Sequence, residues 1–221
     1  MKRNFFCLSI FLCFFLLLSG CKAQNTLQPF VSELRSNCYQ SQNSDFDISA
    51  GYGFIEVNKN FDGKKGQIMH LLTFRLNHIQ NDMITYNIAL NYNGKEYKSS
   101  FKLNPVSHNL TAFLPVENFN LNEFTINLSF GSDTREIQMK STLINGTISY
   151  TKALSCLQKS QSQLLKTYYD SNGDFTAEIT LRVLVKDNHS YWYVGLTSAN
   201  GTKALLLDGL TGKVLAIKDI F

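Results

Sequence analysis

Several absences bound what this sequence can be. Its 221 residues include three prolines and one tryptophan, and its lysines and arginines form no cluster. Asn, Ser, Thr, Tyr and Phe are plentiful instead, and this composition favours strands and turns over long helices. The net charge is +4, and removing residues 1–20, with Lys2 and Arg3, leaves about +2. A charge this small, with no basic cluster, argues against a nucleic-acid partner.

Motifs for catalysis and metal binding are also missing. The sequence has no serine nucleophile elbow and no glycine-rich phosphate loop. Asp170, Asn172 and Asp174 are spaced like the start of an EF-hand loop, but its sixth and twelfth positions hold Phe175 and Leu181. We interpret that stretch as a turn. The histidines lack the spacing of metal ligands, and they are His70, His78, His108 and His189. The sequence therefore predicts no enzyme, no metal and no cofactor.

The amino terminus is the most informative segment. A basic start precedes an apolar run at residues 5–18, which is shorter than the roughly 20 residues that cross a membrane and is typical of a secretory signal. The run ends in Leu18-Ser19-Gly20-Cys21, which resembles the lipobox of bacterial lipoproteins. The resemblance implies that Cys21 is acylated and becomes the first residue of the mature chain. An ordinary signal cut after Ala23 and an uncleaved membrane anchor are the alternatives.

The lipobox also implies a compartment. In Gram-negative bacteria an Asp after the acylated cysteine typically keeps a lipoprotein in the inner membrane, and this chain has Lys22 there. That implies the outer membrane, at its periplasmic face or at the surface. In a Gram-positive organism the protein would lie on the external face of the membrane. The sequence does not distinguish these two settings.

Cysteine pairing follows from the lipobox. If Cys7 and Cys13 leave with the signal and Cys21 carries lipid, Cys38 and Cys156 remain. Export favours oxidation, so a Cys38–Cys156 disulfide is predicted, with two buried free thiols as the alternative. In the chain-entropy model a loop of this length stabilises the fold by about 4–5 kcal/mol.

Hydrophobic periodicity predicts the elements. Apolar residues at helical spacing predict a short helix over residues 25–39 and a second helix over 153–169. Asn93-Gly94 is typical of a tight hairpin turn within residues 83–103. Period-two alternation predicts eight strands between the helices, at residues 52–58, 67–76, 83–92, 95–103, 110–116, 123–130, 134–143 and 147–152. Further strands are predicted after the second helix, at residues 177–186, 191–196, 203–207 and 213–218.

These elements predict a mainly β fold in four parts. Residues 1–20 form the lipoprotein signal peptide, and 21–47 hold the anchor, the short helix and a loop. Residues 48–151 form an antiparallel β-sandwich, with an immunoglobulin-like topology as a guess. Residues 152–221 form an α+β unit, a helix plus a three- to four-stranded antiparallel sheet.

The carboxy-terminal unit resembles the PepSY family. The match lies in Tyr191-Trp192-Tyr193-Val194, in Asn200-Gly201 and in residues 204–215, which read ALLLDGLTGKVL. Asp208 can cap a tight turn there, and Gly212 can close it with a positive φ. PepSY-like modules occur in exported proteins and protease propeptides, where regulation of peptidases has been proposed, and they carry no catalytic residues.

These observations favour a non-enzymatic cell-envelope lipoprotein that binds a protein or peptide partner. Tyr191, Trp192 and Tyr193 are the candidate contact patch, with packing in the core as the alternative for all three. The resemblance implies a second hypothesis, an inhibitor or regulator of an exported peptidase. An enzyme of unrecognised type is the third.

Overall fold

The computed structural model describes residues 27–42, 45–58, 66–77, 84–104 and 109–220. The predicted signal peptide and Cys21 lie outside the described residues. Within these ranges the structure has thirteen strands, two α-helices and one 3₁₀ turn, at Gln28–Phe30.

Nine described strands precede the helices. They are β1 Val31–Ser41, β2 Ile48–Val57, β3 Gln67–Leu76, β4 Tyr86–Tyr92, β5 Lys95–Ser100, β6 Lys102–Asn104, β7 Asn109–Leu114, β8 Glu123–Phe130 and β9 Asp133–Ser141. The helices are α1 Tyr150–Ser160 and α2 Ser162–Lys166. The last strands are β10 Glu178–Lys186, β11 His189–Ser198, β12 Gly201–Asp208 and β13 Val214–Ile220.

Strands β1 to β9 form a nearly closed antiparallel sheet. In one direction the order runs from β1 through β2, β3 and β7 to β6, and in the other it runs from β1 through β9, β8 and β4 to β5. Strands β5 and β6 are separated in sequence by Phe101 alone, whose amide donates to the Tyr86 carbonyl. The two arms therefore meet at this corner and enclose a first hydrophobic core.

The predicted hairpins explain the tight pairing of this half. Asn93 and Gly94 both have positive φ, at 50° and 74°, and Tyr92 pairs with Lys95 across them. Gly131 has φ 57° in the second hairpin, where Phe130 pairs with Asp133. The predicted Asn93-Gly94 turn is confirmed, and Gly131 begins a second turn of the same length, because these residue types tolerate the left-handed conformation that a two-residue turn requires.

The last four strands form an antiparallel ladder that continues into the first half. Strand β10 pairs with β11, β11 with β12, and β12 with β13, while β10 also runs parallel to β1. All thirteen strands therefore belong to one sheet. Helices α1 and α2 pack on one face of the carboxy-terminal strands and cover a second core, which includes Leu154, Leu157, Leu165, Leu181 and Trp192.

Strand β1 contributes to both cores. Its first half places Leu34 in the second core, and its second half places Tyr39 in the first. A bulge lies between Arg35 and Asn37. The extra residue shifts the alternation of side chains, so one strand presents apolar residues to two cores.

Two predicted elements are wrong. Residues 25–39 were expected to be a helix, but the described part is the 3₁₀ turn followed by β1. Apolar spacing at i, i+3, i+4 and i+7 fits the bulged strand as well, because the bulge breaks the period of two. Residues 147–152 were expected to be a strand, but Ser149 caps α1 and accepts a hydrogen bond from the Lys152 amide.

The coarse fold class is confirmed as mainly antiparallel β with a helix near the carboxy terminus. The helical region predicted at 153–169 corresponds to α1 and α2. Strand β10 buries Ile179, Leu181 and Val183, which lie on one face because side chains alternate along a strand.

Candidate functional site

The best candidate for a functional site is the face of the sheet opposite the helices, across β10, β1, β2, β3 and β7. We call its central depression the outer cleft. Its larger part has a volume of about 510 Å³, and a smaller adjoining part has about 110 Å³. The two parts share Arg35, Gly51, Thr73 and Phe113.

Strand register brings distant parts of the chain together on this face. Arg35 on β1 lies opposite Arg182 on β10 and opposite Gly53 on β2. Gly53 in turn lies opposite Leu71 on β3. One continuous row of residues therefore crosses both halves of the molecule.

Glycines form the floor of the cleft. A Cβ on Gly53 would collide with the Leu34 carbonyl, and one on Gly51 would lie 3.5 Å from Arg35 Cδ. The missing side chains let β2 lie close against the bulged part of β1.

Three arginines line this floor, and Glu33 bridges two of them. Arg182 donates from Nε to Glu33 Oε1 at 2.9 Å and from its terminal nitrogen to Oε2 at 2.8 Å. Arg35 Nε lies 3.2 Å from Oε1 of the same carboxylate. The third arginine, Arg75 on β3, is exposed and forms no ion pair within the part of the chain that the structure describes.

Positive charge is therefore in excess over this cleft. Glu33 is the single carboxylate among its described lining residues. Burial lowers the pKa of the Arg35 guanidinium, and the neighbouring charges of Arg182 and Arg75 lower that pKa further, whereas Glu33 raises it. Because an arginine stays charged under all ordinary conditions, the excess charge persists at neutral pH.

Apolar side chains flank the charged centre. Phe113 on β7 is 55% exposed, and Leu184 on β10 is 42% exposed. The cleft thus combines guanidinium groups with exposed apolar surface, a mixture that is common where proteins bind peptides.

The three aromatic residues of the predicted contact patch do not share one surface. Trp192 is 2% exposed in the second core, and its Nε1–H donates to the Ile148 carbonyl at 3.0 Å. Tyr191 and Tyr193 lie half-buried on the opposite face, where Tyr193 is opposite Arg182. Trp192 is therefore a core residue, because alternation along β11 turns it away from its two neighbours.

Cys38 and Cys156 are both free thiols in this structure. Cys38 donates its S–H to the Val183 carbonyl at 3.2 Å, whereas Cys156 contacts the Thr211 carbonyl at 3.8 Å. Cys38 lies on β1 and not on a helix, and it packs against the second core, so the Cys38–Cys156 disulfide stays a prediction. Burial raises the pKa of the Cys38 thiol to about 11, so this thiol is a poor nucleophile at neutral pH.

The turn that carries the PepSY resemblance is formed as its residues predict. Asp208 Oδ1 accepts hydrogen bonds from the Thr211 amide at 2.7 Å and from the Thr211 hydroxyl at 2.6 Å. Gly212 has φ 74° and donates its N–H to the Asp208 carbonyl. These hydrogen bonds lower the pKa of the Asp208 carboxyl.

The predicted turn at residues 170–174 is also confirmed. Asp170 Oδ1 accepts from the amides of Asn172 and Asp174, both at 2.9 Å. Among the described residues, no group of His, Cys, Asp and Glu side chains could hold a metal ion. No described helix is long and apolar enough to cross a membrane.

The arginine cluster escaped sequence reasoning. Alternation along β10 places Arg182 on the solvent-facing side, but nothing local signals that β10 pairs with β1. The cluster needs that parallel pairing together with the bulge in β1.

Comparisons with protein-family models, with curated proteins and with solved structures found no match to this chain.

Proposed function

We propose that this protein is a non-enzymatic, lipid-anchored binding protein of the cell envelope, and that it binds a protein or peptide partner at the outer cleft. One observation carries the proposal: three guanidinium groups converge on an exposed, glycine-floored depression with a single internal carboxylate. Arginines and aromatic residues are enriched where proteins bind each other.

The position of the predicted anchor is compatible with such a role. Six chain steps separate Cys21 from Leu27, the first described residue, so an acylated Cys21 would hold the folded part within about 21 Å of the membrane. Leu27 is buried in the second core. A tether this short would keep the outer cleft near the membrane surface, where partners in the envelope are available.

Site-specific photo-crosslinking in the native envelope tests the binding surface. A photoreactive residue replacing Thr73, in the outer cleft, is compared with one replacing Lys159, which is exposed on α1. We expect one discrete crosslinked partner from position 73, none from position 159, and loss of the product when Arg75→Gln is added. Equal products from both positions, or none from position 73, would contradict the proposal.

The lipid anchor is tested separately. Globomycin, which blocks the lipoprotein signal peptidase, should make the unprocessed precursor accumulate. The variant Cys21→Ser should appear in the soluble fraction. A Cys21→Ser protein that stays in the membrane fraction would show that another segment holds it there.

The second candidate is a regulator of an exported peptidase. What supports it is the Asp208–Gly212 turn, which has the hydrogen bonds expected from the PepSY-like motif and packs against Cys156 of α1. The full-length protein should then slow a protease exported by the same organism. Unchanged hydrolysis across the exported proteases would remove this candidate. The immunoglobulin-like topology of the first half also remains a proposal, supported by its antiparallel pairing alone.

A further inference from the structure

The arginines of the outer cleft stand on three different strands, β1, β3 and β10. Arg35 pairs with Gly53 on β2, and Gly53 pairs with Leu71 on β3. Arg75 lies four residues farther along β3. Two strand spacings of about 4.8 Å and four residues at about 3.3 Å each place the two Cα atoms about 16 Å apart. This Cα separation leaves room for two separate negative groups, one beside each arginine.

The cluster already shows which group it accepts. Glu33 places both carboxylate oxygens against Arg182, in the two-pronged geometry that a guanidinium offers to a planar carboxylate. Arg35 shares one of those oxygens through Nε. A second carboxylate arriving at Arg35 would meet the same chemistry, and it would offset charge that Glu33 alone does not balance.

The surface between the arginines suits an extended chain. Gly51 and Gly53 add no side chains of their own to the floor, where Arg35 lies over Gly51, and the exposed side chains of Phe113 and Leu184 flank it. In an extended peptide, side chains at i, i+2 and i+4 point to one side and span about 13 Å. That span is close to the separation of the two arginines.

From these observations we propose that the outer cleft binds an extended acidic peptide segment, with one carboxylate at Arg35 and Arg182 and another at Arg75. This inference rests on the proposed function and specifies the chemistry of its partner. The carboxylates can come from Asp and Glu side chains or, at one end, from a chain terminus. Glu33 acts as an internal competitor, because it occupies part of the guanidinium surface that the ligand needs.

Peptide binding to the full-length protein in detergent tests this inference. The probe is a fluorescein-labelled peptide of alternating Glu and Thr with an amidated carboxy terminus. A second peptide has Gln in place of Glu and a free carboxy terminus. Fluorescence anisotropy should show that the Glu peptide binds more tightly by about tenfold or more, since charge-assisted hydrogen bonds to arginine are lost with Gln. Tight binding of the Gln peptide alone would assign the site to a terminal carboxylate. Equal binding of both peptides would overturn the proposal.

Two variants with opposite expected effects on peptide affinity separate a binding role of the cluster from a structural one. Arg75→Gln should weaken binding of the Glu peptide by about tenfold. Glu33→Gln should strengthen binding, because it removes the internal competitor and its negative charge. Lys98→Gln, on β5 and away from the cleft, is the matched control and should change nothing. Weaker binding in Glu33→Gln, or a loss in Lys98→Gln equal to that in Arg75→Gln, would overturn the proposal.

Competition between inorganic phosphate and the Glu peptide is the last measurement. Phosphate should not displace the Glu peptide at concentrations comparable to that of the peptide, since a phosphate lacks the peptide's second acidic group and its contacts with the apolar flanks. Displacement at such concentrations would show a general oxyanion site and overturn the proposal. If the crosslink from position 73 persists while no acidic peptide binds, only this inference fails. If both fail, the proposed function fails with it.

Discussion

The indole of Trp192 fills the second core and satisfies the Ile148 carbonyl. Trp192→Ala should lower the free energy of unfolding by about 3–5 kcal/mol because it leaves a large cavity. Trp192→Phe keeps most of the ring but removes the donor, and should cost about 1–3 kcal/mol. Urea unfolding followed by circular dichroism measures both. Tyr191→Phe, on the opposite face, is the control and should stay within about 0.5 kcal/mol. A Trp192→Phe variant as stable as this control would contradict the assignment of Trp192 to the core.

Asp208 makes the stability of the turn between β12 and β13 depend on pH. Its hydrogen bonds from Thr211 lower the pKa of the folded carboxyl below the unfolded value, which is about 3.9. The stability it contributes is therefore present above the unfolded pKa and is lost as the pH falls toward the folded pKa. The free energy of unfolding is compared at about pH 6 and about pH 3, on either side of the unfolded pKa. It should decrease less between these values in Asp208→Asn than in the unchanged protein. Thr211→Ala should reduce the slope in the same direction, and an unchanged slope in both variants would rule out this carboxyl as a contributor.

The surroundings of Cys38 and Cys156 predict how fast Cys38 is alkylated and whether the two thiols are paired. Because burial raises the pKa of Cys38 to about 11, iodoacetamide at pH 8 should modify it slowly in the folded protein. Peptide mapping without reductant should recover Cys38 and Cys156 as separate, alkylatable peptides after unfolding. A Cys38–Cys156 linked peptide would show that the exported protein forms the bond that is absent from this structure.

At the scale of elements, the β12–β13 turn packs tightly on helix α1. A Cβ on Gly212 would lie 2.7 Å from Cys156 Sγ, and the residue has φ 74°. Gly212→Ala should therefore cost both the left-handed strain, about 1–2 kcal/mol, and a steric clash of about 1–3 kcal/mol. Gly131→Ala is the matched control, since Gly131 has φ 57° with open space around it and pays the strain alone. Thermal unfolding of both variants decides the prediction, and equal losses would show that the turn does not press on α1.

Strand β1 is the element on which the architecture depends. Its bulge lets Leu34 enter one core and Tyr39 the other, and the same bulge brings Arg35 over Gly51 on the opposite face. The cleft and the junction between the cores therefore have a common structural cause. A change that straightens β1 would disturb both.

For the whole molecule, a shared strand predicts cooperative unfolding. Trp192 is the single tryptophan, and its fluorescence reports on the second core, whereas far-ultraviolet circular dichroism reports on the strands of both halves. The two signals should change at the same urea concentration, because losing β1 removes part of both cores. Leu34→Ala should shift both midpoints together. Two separated transitions would show that the halves fold independently.

Most of the local structure was predictable. Period-two alternation found β3 and β8 at their observed bounds, and the Asn93-Gly94 turn has the positive φ values that its sequence indicates. The Asp208–Gly212 turn was predictable for the same reason, since its hydrogen bonds join residues three or four apart. Such features depend on neighbours in the chain, and a sequence displays neighbours directly.

The candidate site was not predictable in the same way. Arg35, Arg75 and Arg182 are far apart in sequence and meet because β10 pairs in parallel with β1 and β2 bridges to β3. In the sequence, Tyr191, Trp192 and Tyr193 are equal candidates for a contact patch. The pairing of β11 places Trp192 on one face of the sheet and the two tyrosines on the other.

The sequence by itself determined the strand-rich composition and the turns, because both depend on local residue patterns. Only the tertiary structure decided that a bulged strand replaces the first predicted helix and joins two cores. It also decided that three distant arginines share one face. The physical reason is that strand pairing is long-range: its partner and register are set by what the whole chain can bury, and no local pattern encodes them.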